Sequence, residues 1–202
     1  MKLYYFPGAC PLVSHIVMEW AGQAVELVEV SREEVKQEAY LKLNPMGAVP
    51  TVVEGDSVFT QTSAIVEYIA EKHPESNLLP KDLKQRTEAR KWLAFCNADI
   101  HRTFALIFGA AKFVQNEAGQ EELINNAKAM LINMFSIVDR HLENNSWLAG
   151  SKSVADPYLY VLLRWTKVKD VDVSHLSNLM RFYEQMEADS GVQKALKAQG
   201  LA

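Results

Sequence analysis

A chain of 202 residues, 49% of them hydrophobic, is long enough for one large or two small domains with buried cores. Its formal charge of -4 supplies no basic excess, so nucleic acid and anionic membrane surfaces are not expected partners and a small molecule is. Two cysteines, Cys10 and Cys96, with no CxxC pair and no Cys/His cluster, imply neither a structural disulfide nor a metal.

Residues 2 to 6 (KLYYF) form a short β-prone run. The following Pro7, Gly8 and Pro11 interrupt MKLYYFPGACPLVSH where a signal peptide needs an unbroken apolar core, so a cytoplasmic protein is expected. Val13, Ile16, Val17 and Trp20 then recur at helical spacing, and Gly22 closes that helix. AVELVEV at 24 to 30 reads as a second strand, and EEVKQEAYLKLN as a loosely helical connection. VPTVVEG and SVFT are two short strands around a Gly55-Asp56 hairpin turn, followed by a helix from about Gln61 to Lys72. The order β-α-β-α-β-β-α is that of a thioredoxin-like α/β layer, with helices on a small mixed sheet.

From His73 to about Leu83 periodicity is lost, as in a linker, which divides the chain into residues 1–78 and an all-helical unit at 85–202. Leu123, Ile124, Ala127, Met130, Leu131, Met134, Ile137, Val138 and His141 trace one face of a long helix. SVADPYLYVLLRW begins with Ser153 and Asp156 at capping-box spacing and is apolar on most sides. It reads as a central, ordinary capped helix without chemistry, so losing Asp156 is expected to damage folding.

Cys10 stands just before Pro11, a favoured first helical residue, which puts the cysteine beside the N-cap. Free amides and the helix dipole there favour a thiolate. A lone cysteine is ordinarily a small buried hydrophobe, but its place after a strand and a Pro-Gly turn points to a functional one. Val49-Pro50 opens a strand, so Pro50 is either an edge proline or a cis proline that leaves the amide and carbonyl of Val49 to a peptide-like ligand. Thr60-Gln61-Thr62-Ser63 starts a helix and serves either as plain capping or as an anion site for a carboxylate. Asp99 and His101 are two residues apart, about 200° around a helix axis, so they cannot serve one ligand from one helix. His101 and Arg102 offer a proton donor and a cation in one direction, or are merely structural.

Taken in order, MKLYYFPGAC followed by SHI, NPMGAVPTV, QTSAIVEYIAE, SVADPYLYVLLRW and VQKALKAQGL resemble a beta-class bacterial glutathione transferase over essentially the whole chain. The resemblance implies glutathione as co-substrate with no other cofactor, and a homodimer. Cys10 would lie against the glutathione sulfur, with Tyr5 nearby; Val49, ahead of cis-Pro50, would pair with the cysteinyl backbone. Gln61 and Thr62 would hold the γ-glutamyl end, His101 and Arg102 would approach the sulfur and glycyl end, and Asp99 would reach the ligand of the other subunit. Three positions depart from the family pattern. SREEVKQEAY is shorter and lacks the family's glutathione-contacting lysine, with Arg32 or Lys36 as substitutes; Gln61 replaces a frequent glutamate, and Ala94 replaces a sometimes polar residue.

The leading functional expectation is conjugation of the glutathione thiolate to a small, largely apolar electrophile in a subsite between the domains. Phe104, Phe108 and Phe113 are candidates for that subsite, although aromatic residues at those spacings are more often core. The alternatives are monothiol disulfide exchange through Cys10, and a non-catalytic ligand carrier on the same fold.

Overall fold

Alternation of buried and exposed side chains builds a small sheet at the start of the chain. The computed structural model describes residues 1–202. In strand β1 (Lys2–Tyr5), Leu3 and Tyr5 turn into the core while Lys2 faces out, the period-two pattern of a strand with one face covered. It pairs in parallel with β2 (Glu26–Glu29) and antiparallel with β3 (Thr51–Glu54), which pairs with β4 (Ser57–Thr60), giving the order β2-β1-β3-β4. The two-residue turn at Gly55-Asp56, with Gly55 at φ 57°, closes the last hairpin as its sequence predicts.

The parallel β1–β2 pair needs a crossover, supplied by α1 (Pro11–Ala21). Every residue of α1 from Pro11 to Met18 is buried, because α1 lies between the rest of the N-terminal layer and the helical half of the chain. Gly22, at φ 68°, ends it in the left-handed conformation. The connection expected to be loosely helical is a 3₁₀ turn (Glu34–Lys36) and a four-residue helix α2 (Glu38–Leu41), and α3 (Thr62–Lys72) packs beside α1. This is the thioredoxin-like layer expected from the sequence.

The remainder is helical: α4 (Leu83–Ala94), α5 (His101–Phe108), α6 (Glu117–Leu142), α7 (Ala155–Val168), α8 (Ser177–Glu187) and α9 (Ser190–Ala198). Between α4 and α5 the chain does not break but widens into a π turn over Phe95–Ile100. The aperiodic stretch after His73 is no loose tether. Leu78, Leu79 and Pro80 are buried there, and the Val154 N–H donates to the Leu78 carbonyl at 3.0 Å. One contiguous apolar core runs from Leu3 and Leu12 through Tyr158 to Leu196. On α6 the buried stripe is Ala127, Leu131, Phe135, Val138 and Leu142, whereas Met130 and Ile137 point outward. The expected face was rotated toward neighbouring apolar positions, which periodicity weights equally.

Asp156, fully buried at the start of α7, accepts the Leu148 N–H at 2.9 Å, the Ser153 N–H at 2.7 Å and the Ser153 hydroxyl at 2.9 Å. The carboxylate half of the capping box is present; the Ser153 hydroxyl donates to that carboxylate and accepts only a long 3.4 Å contact from the Ala155 amide. Burial raises the Asp156 carboxyl to about 6, and the hydrogen bonds oppose that rise. Asp156→Ala strands two buried amides and should cost about 2–5 kcal/mol of stability, read as a lower urea midpoint.

At the other end of the chain Gln199 accepts the Gly8 N–H at 3.4 Å and donates to Nδ1 of buried His15 at 3.2 Å, tying α9 to the start of α1. Burial lowers His15 to about 4. The unfolded chain takes up this proton near 6.5 and the folded chain resists until about 4, so the stabilisation is present above 6.5 and lost as pH falls through 4. The melting temperature should decline across that window by the equivalent of up to about 3 kcal/mol, and decline less in His15→Gln.

Candidate functional site

The turn after β1 is held from the far half of the chain. Gly8 adopts φ 70°, and its carbonyl accepts the Trp165 indole N–H from α7 at 2.9 Å. Cys10 follows as the residue before Pro11, at the entry to α1, and its thiol donates to the Val49 carbonyl at 3.5 Å. The Val49-Pro50 peptide is cis, the geometry of one of the two readings left open by the sequence. The loop ahead of it is braced from behind: Lys36 Nζ donates to the Gly47 carbonyl at 2.8 Å, and the Tyr40 hydroxyl and Asn44 amide donate to the Ala48 carbonyl at 2.8 and 2.7 Å. The Val49 N–H has no acceptor within the chain.

The start of α3 is equally open. No side chain caps it, and the amides of Thr62, Ser63 and Ala64 find no acceptor, the first helical bond being from the Ile65 N–H to the Gln61 carbonyl. Plain capping is therefore not what Thr60-Gln61-Thr62-Ser63 does. Gln61 itself sits at φ 70°, a left-handed conformation that costs a non-glycine residue energy and often accompanies a binding role.

These elements face α5 and the π turn across a cleft of about 630 Å³ between the two halves. Cys10, Val49, Pro50, Gln61 and Thr62 line one side, and His101 and Arg102 the other. Two predicted residues lie outside it. The Tyr5 hydroxyl turns away to Glu29 at 3.4 Å, and Asp99, in the π turn, is exposed and does not line the cleft. Neither substitute for the missing lysine lines the cleft: Lys36 is spent on Gly47, and Arg32 lies over the Phe6 ring.

Asn97 and Tyr158, not among the candidates read from the sequence, also line the cleft. Tyr158 is fully buried, with its hydroxyl 2.8 Å from both Asn97 Oδ1 and His101 Nδ1. The signal was available in its residue type: a tyrosine on the apolar face of a buried helix must find a partner for its hydroxyl.

Burial pushes the Cys10 thiol up to about 11, and the pull of the Thr62 hydroxyl and of its own backbone amide does not offset this. The thiolate expected from the helix start is thus only a trace form near neutrality; desolvation outweighs the amides. Burial, with the neighbouring Arg102 charge, lowers His101 to about 4, so its imidazole is neutral in the same range. No group of three or more His, Cys, Asp or Glu side chains is gathered as a metal site.

The family descriptions "Glutathione S-transferase, N-terminal domain" and "Glutathione S-transferase, C-terminal domain" match residues 3–77 and 91–189. A glutathione S-transferase of Xanthomonas campestris pv. campestris is 42% identical, with 100% of both chains covered. The chain belongs to the glutathione S-transferase family. The solved glutathione S-transferase from Xylella fastidiosa is also 42% identical and superposes with a TM-score of 0.96 over 100% of this chain and 99% of that one. A sphingomonad glutathione S-transferase, solved in complex with glutathione, is 32% identical with a TM-score of 0.88 over 100% of both chains. The enzyme is a glutathione transferase of this fold.

The raised thiol has a direct chemical consequence. Alkylation of Cys10 by iodoacetamide, followed by mass spectrometry in the ligand-free enzyme, should be slow at pH 7 and rise with a midpoint near 11. A midpoint below 8 would contradict the burial argument.

Proposed function

We propose that glutathione lies extended along Val49, its cysteinyl backbone pairing with the free Val49 amide and its γ-glutamyl carboxylate held at the open start of α3 by the amides of Thr62 and Ser63 and by Gln61. The sulfur is then placed beside Cys10 and His101, with Arg102 at the glycyl end. What carries this reading is the set of unpaired donors: the Val49 amide and the Thr62 amide line the same cleft as Cys10, and the open amides of Ser63 and Ala64 belong to the same helix start as Thr62.

The proposed reaction is attack of the glutathione thiolate on a small, largely apolar electrophile. Cys10, protonated near neutrality, turns its one thiol proton from the Val49 carbonyl to that thiolate and lowers the thiol pKa of bound glutathione. This favours conjugation over disulfide exchange by Cys10, because a thiol held near 11 presents about one thiolate in 10⁴ at pH 7. The proposal includes a homodimer in which exposed Asp99 faces the partner's ligand. It also includes a reducing, cytoplasmic setting in which both cysteines stay free and glutathione stays reduced.

Calorimetry with millimolar glutathione should show saturable heat, and its absence would remove the reading. Cys10→Ala should lower the conjugation rate for an aryl halide about 10- to 100-fold, the value of a hydrogen bond to a charged acceptor. Cys10→Ser should recover part of that rate. A Cys10→Ala enzyme as fast as the parent would remove the donor role.

A further inference from the structure

Three polar side chains from different elements meet at the inner wall of the cleft. Tyr158 comes from α7, Asn97 from the π turn and His101 from the start of α5. Their protons can be counted. The Tyr158 hydroxyl has one proton and two acceptor sites, and it donates to Asn97 Oδ1 at 2.8 Å. The His101 Nδ1, also 2.8 Å from that oxygen, must then be the donor of the second hydrogen bond. Nδ1 therefore carries the ring proton of the neutral imidazole, and Nε2 carries the lone pair. The one side-chain hydrogen bond of His101 is through Nδ1, which leaves Nε2 unbonded within the chain, and the residue lines the cleft.

We propose that Tyr158, itself oriented by Asn97, is the positioning residue that fixes His101 in the Nδ1–H tautomer and so presents Nε2 as a proton acceptor to the glutathione thiol. This rests on the placement of the glutathione sulfur beside His101 given above. As the thiol ionises, its proton passes to Nε2 and the electron pair of the S–H bond stays on sulfur. That pair forms the new carbon–sulfur bond, the leaving group departs with its own bonding pair, and the proton on Nε2 returns to solvent. The low pKa of the free imidazole keeps Nε2 unprotonated before glutathione arrives, and the thiolate formed beside it then stabilises the imidazolium. Without the hydroxyl, the ring is free to adopt the other tautomer, whose Nε2–H cannot take a proton. The edge contact of Trp165, 4.8 Å between ring centroids, holds the imidazole plane but does not choose between its nitrogens.

The test uses the full-length enzyme with ¹⁵N-labelled histidine. In the ligand-free parent, the His101 resonances should show a protonated, pyrrole-type Nδ1 and a bare, pyridine-type Nε2; the reverse assignment overturns the proposal. Tyr158→Phe keeps the ring and removes the hydroxyl. It should abolish the tautomer preference and lower kcat about 10- to 100-fold, with the KM for glutathione within about threefold. An unchanged kcat, or a change in KM alone, overturns the proposal. Asn97→Ala provides a second variant should the first fail to fold: it frees the Tyr158 proton for Nδ1 and should invert the tautomer to Nε2–H. A spectrum identical to the parent's would overturn the role of Tyr158. Failure of the parent to bind glutathione by calorimetry would remove the placement of the sulfur, while the tautomer measured without ligand would still stand or fall alone.

Discussion

The hydrogen bond from the Trp165 indole to the Gly8 carbonyl joins the two halves of the molecule at the residue pair before Cys10. Its importance comes from what shares its helix face. Tyr158 and Trp165 are seven residues apart on α7, which on an α-helix brings them back to within about 20° of each other. One face of a single helix therefore pins the turn that delivers Cys10 and also holds the hydroxyl against His101. Asp156 anchors the first turn of that helix to the Leu148 loop through buried hydrogen bonds. A rotation or slip of α7 would disturb the thiol and the imidazole together, so the interdomain packing is part of the geometry of the site.

The cleft is defined as much by groups left unpaired as by groups present. Just before Pro50 three successive carbonyls have donors: Lys36 serves Gly47, Tyr40 and Asn44 serve Ala48, and Cys10 serves Val49. The chain has polar side chains to spare there, yet the Val49 amide and the first three amides of α3 stay open. Unpaired donors in a partly enclosed cleft are costly unless a ligand or water completes them. Their arrangement, one amide in an extended segment and a cluster at a helix start, matches a ligand with a peptide backbone and a carboxylate at one end.

The sheet, the hairpin and the long helices were legible because their signals are local: alternation in Lys2–Tyr5, a two-residue glycine turn, and periodic apolar positions. The cis-Pro50 loop and the α3 start were legible as candidates but not as decisions, since capping and anion binding use the same residue types. Three features were not legible. The turn of the Tyr5 hydroxyl away from the cleft depends on Glu29 lying beside it in the sheet, a contact made 24 residues away. The stripe on α6 was misplaced because Met130 and Ile137 are apolar yet have no neighbour on their side. Tyr158 was hidden inside a helix whose apolar surroundings suggested only burial. Its role emerges from Asn97 and His101, about 60 residues distant and brought near by tertiary packing.

The electrostatics of the cleft also explain how a raised cysteine pKa can serve thiol chemistry. Moving a thiol from 9 to about 11 means that a negative charge on Cys10 is disfavoured by about 3 kcal/mol in the empty cleft. Two thiolates side by side would be worse, since each would add its field to the desolvation already paid by the other. A cleft built in this way accommodates one anionic sulfur, and in the proposed binding mode the ligand sulfur, facing the Cys10 thiol donor and the proton-accepting His101, is better placed to be that one than Cys10. Burial of Cys10 thus does not work against activation of the ligand. It keeps the proton on the protein's sulfur, so that in the proposed reaction the negative charge develops on the glutathione sulfur, the one that has to reach the electrophile.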